Sequence, residues 1–135
     1  MNEVLVPISV GDLIDRMAVL DLQTTSAVDT VHQASLRSKK ALLDRLAERV
    51  LPKDPTFCAL RQDLHAVRVD LRTIEQDLRA CEERADFGTA FVALAQAFFV
   101  SQDVLDRIKS EINDCVVHFE MSRNATQTFS QLRDY

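Results

Sequence analysis

Two apolar stripes run in tandem through the second half of this chain, each stepping alternately by three and four residues. The first is Phe57, Leu60, Leu64, Val67, Leu71, Ile74, Leu78, Cys81, and the second is Phe91, Leu94, Phe98, Ser101, Leu105, Ile108, Ile112, Cys115, Phe119. A 3.5-residue repeat keeps one face of an α-helix against a partner helix over several heptads. Between the stripes lies Ala85-Asp86-Phe87-Gly88, with one of only two glycines in the chain. The pattern predicts two long antiparallel helices joined by a tight turn. The first spans roughly 55–84 and the second roughly 87–119, lengths of about 45 Å and 50 Å at 1.5 Å per residue.

The first half follows the same logic with shorter pieces. Val4-Leu5-Val6-Pro7-Ile8 is β-leaning, and Pro7 discourages a helix before it, so residues 1–8 are expected as an extended arm. Ser9 has the character of an N-cap, with Asp12 three residues on. The helix it opens would run from Val10 to about Gln23 and face inward through Val10, Leu13, Ile14, Met17 and Leu20. Gly11 in its first turn is unfavourable unless another backbone approaches closely. Thr24-Thr25-Ser26 is read as a break, after which Ser26 and Asp29 offer caps for a helix reaching about Leu51. Its apolar face (Val28, Val31, Leu36, Leu43, Leu46, Val50) is interrupted by Lys39 and Lys40. Pro52-Lys53-Asp54-Pro55 is the clearest stop-and-start signal, with Asp54 placed to cap the third helix and Pro55 at its first position. Residues 120–135 lose the periodicity and are expected to be irregular. The expected fold is a single all-α domain over 1–135, an antiparallel four-helix bundle built on a long hairpin.

The early part of the fourth helix adds a second apolar face. Val92, Ala95 and Phe99 flank its stripe, and Val100 lies nearly opposite. A helix that is apolar all round must be covered on several sides. It is therefore either the central helix of the bundle or a homodimer interface built on Val92, Ala95 and Phe99.

Composition narrows the function classes. With 16 basic and 21 acidic side chains the chain carries a net charge of −5. It has no basic surplus to neutralise phosphates, which argues against nucleic acid as a partner. The longest uncharged stretch, Phe87 to Gln102, is shorter than the roughly 20 apolar residues a membrane span needs. No signal peptide is evident at the N-terminus, and three cysteines without a disulfide framework fit a cytoplasmic protein. Phosphate-cradling loops, zinc-type cysteine pairs and nucleophile elbows are missing, and no cofactor or metal is expected. His65 points away from its stripe and is expected in solvent.

One polar residue stands out. Asp21 falls within the inward arc of Val10, Ile14 and Met17. It is either a helix-end residue reaching water near Thr24 and Thr25, or a member of an inter-helix polar cluster. The other members would be Arg68, Glu75, Gln102 and Lys109, which flank the stripes of the long helices.

Two stretches carry a resemblance. Val6-Pro7-Ile8-Ser9-Val10-Gly11-Asp12-Leu13-Ile14-Asp15-Arg16 resembles the opening V-P-[IV]-S-x-G-E-L-I-D-K of an uncharacterised bacterial family of small helical proteins. Phe91 to Ala95, Gln102-Asp103 and Ile108-Lys109-Ser110-Glu111-Ile112-Asn113 are similar to its later F-I-x-L-A-R, N-D and I-K-x-E-I-N segments. Leu71, Ile74, Glu75 and Arg79 fit a segment between them. The chain departs from the pattern at Arg68, Arg72, Gln76, Gln96 and Gln102, and its tail does not match. The resemblance brings no assigned activity. It implies an association with polysaccharide or glycosyl-transfer loci and a role for Asp21, Glu75 and Lys109.

Two functions follow as expectations. The first is a non-enzymatic interaction module that self-associates as a homodimer and docks on a partner protein. The second is a small helical enzyme or binding protein for an anionic metabolite, using Arg16, Arg68, Lys109, Asp21 and Glu75.

Overall fold

The computed structural model describes residues 4–133, with side chains as far as Met121. Four helices follow one another: α1 (Val10–Ser26), α2 (Thr30–Val50), α3 (Pro55–Glu83) and α4 (Thr89–Arg133). The all-α bundle on a long hairpin is the observed fold. Among the described residues there is no strand, and no helix is long and apolar enough to cross a membrane.

The caps sit where the side chains place them. Ser9 Oγ accepts from the Asp12 amide, Asp29 Oδ1 from Val31, and Asp54 Oδ2 from Phe57, with Pro55 opening α3. Each satisfies one of the amides that a helix start leaves without a partner. Two expected boundaries move. Thr24-Thr25-Ser26 extends α1 instead of breaking it, because the Thr24 and Thr25 hydroxyls donate back to the Leu20 and Asp21 carbonyls. A threonine bonded in this way rides inside a helix at little cost. The backbone of α4 also continues past Phe119 to Arg133, where an irregular tail was expected. From Thr89 onward the sequence holds neither Gly nor Pro, and extending a helix that is already nucleated is cheap compared with starting one.

The α3–α4 turn is built differently from its glycine signal. Ala85 takes the left-handed conformation (φ 53°), whereas Gly88 does not have positive φ. The Ala85 amide donates to the Glu82 carbonyl and the Asp86 amide to Cys81, the paired bonds of a Schellman ending. The position that favours glycine therefore carries alanine. Ala85→Gly is expected to raise unfolding stability by about 0.5–1 kcal/mol, read as a higher denaturant midpoint at unchanged slope. A lower midpoint would show that the strain at φ 53° is relieved elsewhere.

α1 is the central helix. It lies close to α2, α3 and α4, while α2 makes no close backbone approach to α3 or α4 among the described residues. The contacts advance together along α1 and α3 and run oppositely along α1 and α4. Asp15 meets Arg68 and Leu22 meets Arg72, whereas Gly11 reaches Asn113. The core joins Leu13, Ile14, Met17 and Ala18 of α1 to Phe57, Leu64 and Leu71 of α3 and to Leu105, Ile108, Ile112 and Val116 of α4. Sequence reasoning gave α4 as a candidate for this central place. It does not hold it: its first half is left uncovered, with Val92, Phe99 and Val100 exposed. The reason is length. α1 and α2 are too short to accompany the hairpin to its tip.

Candidate functional site

Where α1 crosses the hairpin, five polar residues from three helices meet. Asp15 of α1 is the one buried charged residue among the described residues, at 7% exposure. Arg68 of α3 grips it with both arms of its fork, Nε to Oδ1 at 2.5 Å and Nη2 to Oδ2 at 2.7 Å. Lys109 of α4 adds its ammonium 3.3 Å from Asp15 Oδ2 and 2.8 Å from Asp12 Oδ1. Beside them the Gly11 amide donates to Asn113 Oδ1 at 2.8 Å. Gly11, Asp12 and Asp15 come from the first of the segments that carry the resemblance, and Lys109 and Asn113 from the last.

Gly11 makes this meeting possible. A Cβ at that position would lie 2.6 Å from the Lys109 carbonyl oxygen and 3.1 Å from Asn113 Oδ1. The condition under which a glycine is not unfavourable there, a second backbone close by, is therefore met. Gly11, Asp15 and Ala18 recur at i, i+4 and i+7, one narrow flank of α1 along which α4 and α3 come close.

The electrostatics follow from the pairing. Burial pushes the Asp15 carboxyl up, but the Arg68 hydrogen bonds and the charges of Arg68 and Lys109 outweigh it. The carboxyl ends below its ordinary value. Asp12 is lowered chiefly by its bond to Lys109. For Lys109, burial pulls down, and the bonds and charges of Asp12 and Asp15 together outweigh it, so the ammonium is held above its usual value. Arg68 is raised, first by its bond to Asp15. All four groups are thus ionised at neutral pH and mutually balanced. No buried side-chain N or O atom among the described residues lacks a hydrogen-bond partner. Such a junction orients three helices; its carboxylate has no idle proton-accepting capacity.

The expected cluster around Asp21 is only partly gathered. Arg68 and Lys109 converge, but on Asp15. Asp21, half-exposed, pairs instead with Lys40 Nζ at 3.4 Å and His65 Nε2 at 3.2 Å. His65 is consequently not a free solvent-exposed residue. Glu75 is exposed and acts on Arg68 through its charge, while Gln102 is half-buried and takes no part in the junction. Arg16 is exposed. The wheel centred α1 on its large apolar residues and so overlooked Asp15. α1 is buried on both flanks because it has neighbours on three sides, and the small residues Gly11 and Ala18 were the available signal.

Other chemistry is sparse. Burial and the neighbouring Asp54 carboxylate push the Cys115 thiol up, which keeps it protonated. No three His, Cys, Asp or Glu side chains among the described residues are placed to hold a metal together.

The second feature is the uncovered half of the hairpin. Leu105 and Ile112 are 1% and 0% exposed where α1 fills the α3–α4 groove. Nearer the tip the groove is an open hollow of about 320 Å³ lined by Leu78, Phe91, Ala95, Phe98 and Phe99. Phe99 is 68% exposed, Val92 is exposed, and Ala95 is half-buried. Comparison with protein-family models, with curated proteins and with solved structures finds no match for this chain.

Proposed function

We propose that this protein is a self-associating helical interaction module whose projecting α3–α4 hairpin pairs with the hairpin of a second copy. The observation that carries the reading is the groove that α1 fills at one end and that no described residue covers at the other. A second copy is the fitting occupant for two reasons. The hairpin supplies the kind of apolar helix that such a groove accepts. The groove's rim also carries both signs of charge through Glu75, Arg79 and Glu82, so it does not repel a second copy of itself as a rim of one sign would. The dimer then serves as an accessory unit that docks on a partner protein. Three free cysteines favour a cytoplasmic setting.

The enzyme alternative has less behind it, because Asp21 and Gln102 do not join Arg68 and Lys109. The Asp15 junction that replaces the expected cluster is internally balanced.

Phe99→Glu is the test. Phe99 touches little in the single chain, so the helical fold should persist by circular dichroism. Burying a phenylalanine contributes about 1.5–3 kcal/mol, and the symmetry doubles the effect. Dimerisation should therefore weaken by roughly two to four orders of magnitude in Kd. Sedimentation equilibrium of both proteins reads this directly. A wild-type protein that stays monomeric at high concentration, or a variant that stays dimeric, would overturn the assignment.

A further inference from the structure

The arginines of α3 form a stripe of their own. At 100° per residue, Arg68, Arg72 and Arg79 lie within about 40° of one another on the helix surface, with Glu75 and Gln76 beside them. This stripe faces the C-terminal half of α1, where Gln23 completes a crevice of about 290 Å³. A guanidinium carries five N–H groups. Arg68 gives two bonds to Asp15, and Arg72 gives one, through Nη1, to the Leu22 carbonyl. Arg79 is exposed. Most of the donors along the crevice are therefore uncommitted. Among the residues that line the crevice, three arginines face one carboxylate, Glu75, while Asp15 and Asp106 act on Arg68 from outside the lining.

We propose that this crevice is an anion site for a small molecule bearing a diphosphate group. Two features select that class. Guanidinium forks match phosphate oxygens in pairs, and the match is strengthened where the fork is already held in place. Arg68 and Arg72 are so held, by Asp15 and by Leu22. The stripe is also long, about 16 Å from Arg68 to Arg79 at 1.5 Å per residue. A single phosphate would engage one arginine of such a row, whereas linked phosphates engage two. Glu75 is the one carboxylate lining the crevice. It offsets the charge of Arg68, and a bound anion takes over that task.

Inorganic pyrophosphate is the probe, titrated into ¹⁵N-labelled protein and followed by calorimetry and by the arginine Nε resonances. Saturable binding at millimolar concentration or tighter is expected, weakening as salt is raised. Arg72→Gln and Arg79→Gln should each weaken it about ten- to a hundredfold, the worth of one charge-assisted contact. Glu75→Gln should tighten it, because a competing carboxylate is removed. Arg107→Gln, an exposed change on α4 outside the crevice, should leave it unchanged. Arg72 also secures a backbone carbonyl, so Arg79→Gln keeps the test decisive if Arg72→Gln unfolds. Absence of saturable binding, equal affinity in Arg79→Gln, or weaker binding in Glu75→Gln would overturn the proposal.

Discussion

Replacing Gly11 by alanine is expected to destabilise the protein by about 2–3 kcal/mol, although the same change in an ordinary helix would stabilise it. Glycine inside a helix costs roughly 0.5–1 kcal/mol relative to alanine, so local reasoning favours Gly11→Ala. The tertiary contact reverses the sign. The new methyl would sit 2.6 Å from the Lys109 carbonyl oxygen, which belongs to helix backbone and has no rotamer to swing away. α1 must then move off α4. That movement stretches the Gly11–Asn113 bond and the contacts of Lys109 with Asp12 and Asp15. Overpacking of this kind costs about 1–3 kcal/mol, and the weakened polar contacts add to it. Thermal unfolding should show a Tm lower by several degrees. A Tm equal to or above the wild-type value would mean that α1 and α4 do not approach as described.

Arg68→Ala should cost about 3 kcal/mol or more at neutral pH. Removing one member of a buried pair leaves the other charge without compensation, and such losses run to about 3–5 kcal/mol. Lys109 still faces Asp15 across 3.3 Å, which places the expectation at the lower end. The pH dependence identifies the cause. In the wild type, the Asp15 carboxyl lies below its ordinary value when folded. Its contribution is therefore fully present above the unfolded value of about 3.9 and is lost as the pH falls through the folded value. The variant lacks that contribution, so the gap between the two proteins should be widest near neutrality and should close in acid. A gap that is the same at pH 7 and in acid would assign the loss to the packing of the arginine stem. The double change Asp15→Leu with Arg68→Met should recover much of the stability, since an apolar pair of similar size replaces a paired charge at little net cost.

The sequence was most readable where the information was local and repeated. Asp54 and Pro55 mark the start of α3 because capping needs only residues within one turn of each other. The stripes from Phe57 to Cys81 and from Phe91 to Phe119 mark a hairpin because heptad spacing permits few other partners. Local reading failed where two local conformations compete closely, and where one choice depended on a distant atom. Thr24 and Thr25 look like a break until their hydroxyls are seen to bond back into the helix. Gly88 looks like the turn residue, yet Ala85 has the positive φ. Asp21 lay within the wheel's arc, and Asp15, six residues earlier, is the one that was buried.

Periodicity and capping alone thus determine four helices, their order and the pairing of α3 with α4, because these follow from backbone geometry and nearest-neighbour chemistry. Which helix is central, which carboxylate is buried and which apolar surface stays bare were decided by tertiary structure. Each of these depends on where α1 ends along the hairpin and how it is rotated. That rotation is set by a close approach at Gly11 to a carbonyl 98 positions away in the chain. No local pattern encodes such a contact, because it exists only once the three helices have met.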